Sequence, residues 1–250
     1  MLLAIDVGNT NIVFALLQGD VVLSRSRTQT LRNGTKEDYI AVLRGSGLLL
    51  DGVDGAVLSS VVPETDAAVM DAVKALTGLT CLQVTPALRM DMPICLDQPE
   101  TLAADIICGC VGARTLTAGP VAVVDMGTAT TIVVMDREGR YRGGAIMPGV
   151  KLGLGALTAG TSLLPDLTIT KPGKVIATET VESLLSGAVY GAAAMIDGVV
   201  SRMEEELGDS LEIVITGGLG AVVRPYCKRR VRYDEDLVFR GMAALYEKNQ

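Results

Sequence analysis

The sequence predicts an α/β protein in which one folding plan is used twice. Three observations carry this expectation. An apolar run, Leu2–Leu17, is interrupted by Asp6-Val7-Gly8-Asn9-Thr10-Asn11, and the interruption returns in residues 121–135. There Asp125, Gly127 and Thr128 take the places of Asp6, Gly8 and Asn9, and the two aspartates stand 119 residues apart in a 250-residue chain. Beyond each copy, helix-like and strand-like stretches alternate. A repeat of this length marks two similarly folded domains, and the alternation marks a mixed sheet with covering helices.

The elements follow in order. Leu2–Val7 and the apolar residues up to Leu17 read as two strands joined by the polar turn. Gln18-Gly19-Asp20 closes a hairpin, and "VVLSRSRT" supplies a third strand. Residues 36–49 and 64–77 have the spacing of amphipathic helices, as do residues 100–113 with a mostly apolar surface. Single strands lie between them around Val57 and at residues 81–85. In the second half, Asp136-Arg137-Glu138-Gly139 is the hairpin turn and "RYRGGAI" the third strand. "GGAIMPGVKLGLGAL", residues 143–157, is expected to be irregular because of its glycines, either as a loop or as the wall of a site. A long helix is expected at roughly 179–206, and a strand ends at Gly218. The domain boundary is expected between Thr115 and Pro120, dividing the chain into residues 1–117 and 118–250.

Composition narrows the function. Hydrophobic residues make up 49% of the chain, enough for a large core, yet no uncharged run reaches the ~18 residues of a spanning helix. No Lys or Arg precedes the first apolar run and Asp6 interrupts it, so it reads as a strand and not as a signal peptide. No membrane association is expected. The net charge of −7 argues against nucleic acid as a partner. Cys81, Cys95, Cys108, Cys110 and Cys227 form no even framework, which fits a reducing, cytoplasmic location. Cys108-x-Cys110 reads as a pair of small core residues. The chain has no histidine, so Ser-His-Asp, Cys-His and His-ligated zinc chemistry are excluded, and a general base must come from the carboxylates first.

The turn residues point to phosphate. Tight turns with glycine at the sharpest point aim successive backbone N–H groups into one concavity, and such a nest binds phosphate oxygens. Asn9, Thr10 and Thr128 can add donors. Two turns facing each other across a cleft could hold a polyphosphate from both sides. Asp6 and Asp125 repel phosphate directly, so each needs a cation between. One such turn is ordinary turn chemistry; two in equivalent positions are not. A third glycine-rich turn, Thr216-Gly217-Gly218, suits the packing of an adenosine on flat backbone. Asp105 stands apart, a carboxylate within "TLAADIICGCVGA", where it is costly unless partnered or working. A helix-start aspartate favoured by the dipole is the alternative reading.

Several stretches together resemble a known family. "IDVGNTN", "LSSVVP", "VVDMGTATT", "GGAIMPG", "SLLP", "SGAVYG", "TGGLGAV" and "DLVFRGMAALYE" occur in this order in the type III pantothenate kinases. The resemblance runs from Met1 to about Tyr246. It implies two duplicated ribonuclease-H-like (actin-like ATPase) domains with a cleft between them. It also implies ATP-dependent phosphorylation of pantothenate, the first step towards coenzyme A, by a cytosolic homodimer using Mg²⁺ or another divalent cation and K⁺ or NH₄⁺. By the same resemblance Asp6, Val7, Gly8, Asn9, Thr10, Asn11, Ile12 and Val13 form the ATP phosphate segment, with Asp6 towards Mg²⁺. Thr128 is a further ATP contact and Asp125 the K⁺ ligand. Asp105 is the catalytic base; Ala103, Ala104, Asp105, Ile106 and Thr180 face pantothenate.

The match departs from the family on the acceptor side. Ile106 stands where the family carries an Arg and Leu96 where it carries a Tyr, and Ala177-Thr178-Glu179-Thr180 keeps only the final Thr of the usual pattern. The sequence therefore leaves two alternatives open: a kinase of the same fold for another small alcohol or acid, and a nucleotide-binding accessory protein without turnover, like the Bvg accessory factors.

Overall fold

Strand alternation and turn chemistry organise each half in the same way. The computed structural model describes residues 1–165 and 167–250. Leu2–Val7 (β1), Asn11–Gln18 (β2) and Val21–Gln29 (β3) form an antiparallel meander. Lys36–Gly45 (α1), Gly55–Ser60 (β4), Pro63–Thr77 (α2), Leu82–Gln83 (β5) and Ala104–Leu116 (α3) follow. β4 pairs parallel with β1 and β5 parallel with β4, so the sheet order is β3-β2-β1-β4-β5.

The second half contains Val121–Met126 (β6), Ala129–Met135 (β7), Tyr141–Pro148 (β8), Val150–Ala159 (α4) and Thr180–Leu207 (α5). Glu212–Thr216 (β9), Gly220–Val223 (α6), Val231–Tyr233 (β10) and Leu237–Lys248 (α7) complete it. Its sheet runs β8-β7-β6-β9-β10, with the same pattern of antiparallel and parallel pairs. The repeat seen in the sequence is therefore a repeat strand for strand. It gives the mixed α/β fold of two ribonuclease-H-like sheets.

Contacts divide the chain into two compact units: Met1–Met92 with Asp97–Leu116 and Asp236–Gln250, and Pro93–Leu96 with Thr117–Glu235. In the first, Leu3, Ile5, Phe14 and Leu58 meet Tyr39 and Leu43 of α1 and Val69 and Val73 of α2. Thr35 caps α1 with a box closed by Asp38. That helix ends at Gly45, short of the expected residue 49, and Gly47 lies in the left-handed region at φ +74°. The helix expected over 100–113 is shifted. Pro99–Thr101 form a separate 3₁₀ turn, and α3 runs from Ala104 to Leu116.

In the second unit Val124, Ile132, Ile213 and Ile215 pack against Val189, Ile196 and Val200 of α5. By length and composition α5 could cross a bilayer, but this apolar stripe lies in the core of its unit. Residues 143–157 are not irregular, contrary to expectation: Gly143 to Pro148 belong to β8 and Val150–Ala159 is helical. The glycines serve close approach. A Cβ on Gly144 would lie 2.2 Å from Ile132 O and 2.6 Å from Val133 Cα, so only glycine lets β8 lie against β7 here. The basic cluster before β10 is tied down, since Asp197 accepts from the backbone N–H groups of Lys228 and Arg229, and Arg229 pairs with Glu204.

Candidate functional site

The two Asp-Gly turns occupy equivalent ends of the two central strands. In the first unit β1 and β2 stay in register up to the Val7–Ile12 pair, and residues 8–10 close the turn. Gly8 N–H donates to Asn11 O at 2.9 Å, and a Cβ on Gly8 would sit 3.1 Å from that same oxygen. Thr30, at the end of β3, braces the turn: its hydroxyl donates to Gly8 O at 2.7 Å and its N–H to Thr10 O at 3.1 Å. Arg32 donates to Asn9 Oδ1 at 2.7 Å. Asn9 and Thr10 are exposed, while Val7 and Ile12 point into the core. Only the backbone of the latter two can meet a ligand.

Alternation along β1 places Asp6 on the sheet face opposite Ile5. In parallel register beside it on β4 is Ser59, whose hydroxyl donates to Asp6 Oδ1 at 3.1 Å. Residues of α3 approach the same place. Cys108 is fully buried close to Ser59 and feels the charges of both Asp6 and Asp105. Burial first, then those two carboxylates, push its thiol well above the ordinary range. Cys110 is buried too.

Asp105 lies in the first turn of α3, and its Oδ1 accepts from Ile106 N–H at 2.8 Å. Burial pushes its carboxyl above the usual range, against the smaller opposing effect of that hydrogen bond. Asp105 and Asp6 are thus both near enough to Cys108 to act on its thiol, and all three belong to one unit. Ala104 is buried, and Ala103 and Ile106 are partly exposed beside Asp105.

In the second unit Asp125 is paired across the sheet with Thr131 of β7 and Thr216 of β9. Gly217, at φ +87°, packs so tightly that a Cβ would fall 2.5 Å from Asp125 Oδ1 and 2.6 Å from Met126 N. Gly149 closes the turn from the other side. Its N–H donates to Thr128 O at 3.1 Å, and a Cβ there would lie 2.2 Å from that oxygen and 2.6 Å from Gly127 O. Gly127 and Thr128 are exposed, and Thr180 is exposed at the start of α5. An apolar cavity of about 320 Å³ lies between α4 and α5, lined by Gly149, Leu154, Leu157, Gly187 and Gly191 among others.

Sequence reasoning located both aspartates and both turns but assigned no role to Ser59, Thr30 or Gly149 at these sites. Ser59 and Gly149 lie inside quoted motifs, "LSSVVP" and "GGAIMPG", so motif membership was their only signal. Gly217, in the turn expected to pack an adenosine, also packs tightly against Asp125. Among the described residues no group of three or more Cys, Asp and Glu is gathered as a metal cluster.

Comparison with known proteins bears on the same regions. A profile of the type III pantothenate kinase family matches residues 2–202. The type III pantothenate kinase of Moorella thermoacetica is 36% identical over 253 residues, covering 100% of both chains. Among solved structures, a Baf family protein of Campylobacter jejuni superposes with a TM-score of 0.63 at 18% identity, covering 99% of this chain and 98% of that one. The inorganic polyphosphate/ATP-glucomannokinase of an Arthrobacter species gives 0.50 at 13% identity, with 98% and 96% covered. At these identities the two structures speak for the fold alone.

Proposed function

The chain belongs to the type III pantothenate kinase family, and from that membership we propose that it transfers the γ-phosphoryl group of ATP to pantothenate. The product is 4′-phosphopantothenate, on the way to coenzyme A. Family membership carries ATP with a divalent cation, and pantothenate as acceptor. The observation that supports the residue roles best is that Asp6, tied to buried Ser59, and Asp105, at the start of α3, belong to one unit and both act on the buried Cys108, because a kinase needs a phosphate-side carboxylate and a base near each other.

We assign the phosphates of ATP to the turn from Asp6 to Val13 and to Thr128. Asn9, Thr10 and Thr128 offer exposed donors, and Val7 and Ile12 contribute backbone only. Asp6 fits a divalent cation such as Mg²⁺: it is a hard oxygen donor, and Ser59 steadies one of its oxygens. Asp125 fits a monovalent cation, K⁺ or NH₄⁺, in a cradle that any Cβ at residue 217 would fill. Bound there, the cations would neutralise charge on the phosphates.

The acceptor alcohol approaches Asp105, with Ala103, Ala104 and Ile106 beside it in the chain, and Thr180 is assigned to the same acceptor. Asp105 orients the hydroxyl and takes its proton as the new O–P bond forms and the β–γ bridging bond breaks. Phosphoryl transfer is loose, so positioning and charge stabilisation supply most of the rate. An ordinary carboxylate suffices for this, and the raised pKa of Asp105 makes it a stronger base at neutral pH.

The exposed Leu152, Leu157, Val175, Ile176 and Val181 support a homodimer that covers the α4 and early α5 surface. A reducing cytoplasm suits the five free cysteines. Asp105→Asn tests the central assignment. It is expected to leave ATP affinity near the wild-type value and to lower kcat by about 10² or more. Near-normal turnover would remove Asp105 from the mechanism.

A further inference from the structure

Asp6 has a buried neighbour whose placement suggests a task of its own. Ser59 and Asp6 are in register on parallel strands, so their side chains leave the same face of the sheet. The Ser59 hydroxyl donates to Asp6 Oδ1 at 3.1 Å, and Ser59 is wholly shielded from solvent. Cys108, equally shielded and three residues along α3 from Asp105, lies close behind it. A hydroxyl has one proton to give, and Ser59 gives it to Asp6 Oδ1.

The second unit repeats the placement. Thr216, 2% exposed, stands in parallel register with Asp125 as Ser59 does with Asp6. A buried hydroxyl beside the strand-end aspartate is thus part of the duplicated plan.

We propose that Ser59 is a positioning residue that fixes the Asp6 carboxylate towards the Gly8 turn and so sets its affinity for a divalent cation with nucleotide. This rests on the nucleotide role assigned to Asp6 above. A carboxylate with one oxygen tied to a buried donor presents the other in a fixed direction, as residues behind a cation ligand commonly arrange. Without the hydroxyl, Asp6 keeps its charge and loses the tie that holds Oδ1.

The test is calorimetric binding of ADP to the full chain, with Mg²⁺ and with EDTA, alongside thermal denaturation. Ser59→Ala is expected to weaken MgADP binding about tenfold, the usual lower bound for such supporting residues, and to leave binding in EDTA within about twofold. Ser59→Thr, which keeps the hydroxyl, is expected to bind MgADP within about threefold of wild type, and Ser59→Val, which has the same shape without it, to show the loss of Ser59→Ala. Equal losses with Mg²⁺ and EDTA, or MgADP binding by Ser59→Ala within twofold of wild type, would overturn the proposal. If Ser59→Ala fails to fold, the Thr and Val variants decide: equal MgADP binding by the two would overturn it. Wild-type protein that binds no MgADP would instead remove the nucleotide role of Asp6 itself, a separate failure.

Discussion

At the scale of single residues, Asp105 joins function to stability. Its folded pKa is raised by burial, so the folded state holds its proton more tightly than the unfolded chain does. Below the ordinary carboxylate pKa both states are protonated and the residue is neutral in its effect. As pH rises from that value through the raised folded one, the unfolded state ionises first and stability is lost. Above the folded pKa the destabilisation is complete. Asp105→Asn is therefore expected to raise the melting temperature at neutral pH, by an amount that shrinks towards zero in acid. Melting curves of both proteins across pH check this; a variant less stable at neutral pH would contradict it. The acid limb of kcat/KM should likewise lie above the ordinary carboxylate range. Asp6, Asp105 and Asp125 were legible in the sequence because a charge in an apolar run needs a reason. Ser59 was not, because a small hydroxyl in a strand costs little and its partner is far away in the chain.

Among the elements, α3 depends on α7. The two helices meet through glycines: a Cβ on Gly241 would lie 1.8 Å from Cys108 O, and one on Gly112 would lie 2.1 Å from Leu237 O. Gly241→Ala is expected to destabilise the protein by about 3 kcal/mol, the upper part of the usual range for overpacking. It should also lower kcat, because α3 carries Asp105. Urea denaturation and steady-state kinetics on one preparation measure both; an unchanged midpoint with full activity would show that the helices separate freely. The helix spacing in residues 64–77 was easy to read, and Pro63 and Gly78 bound that helix as expected of such residues. Residues 143–157 were misread because glycine signals both loops and close backbone approach, and only the partner strand tells them apart. Nothing in the periodicity of residues 237–248 shows that this helix packs with the first unit.

For the whole molecule, the duplicated plan was the most legible feature. Two five-stranded sheets of the same order repeat the 119-residue offset, and each carries an aspartate one residue before the end of its central strand, ahead of a glycine turn. What a sequence repeat does not reveal is which groups from distant elements close in on each aspartate, since those contacts come from packing. One proposal is central: both aspartate-bearing turns are assigned to a single phosphoryl transfer to an alcohol. The most direct measurement incubates the wild-type chain and its Asp6→Asn and Asp125→Asn variants with ATP, Mg²⁺ and pantothenate, in K⁺ and in Na⁺, and quantifies ADP and phosphopantothenate together. The expected result is equal amounts of both products from wild type in K⁺, far less in Na⁺, and a loss of about 10² or more in each variant. ATP bound with no phosphopantothenate in either salt, or an Asp125→Asn variant as active as wild type, would contradict it.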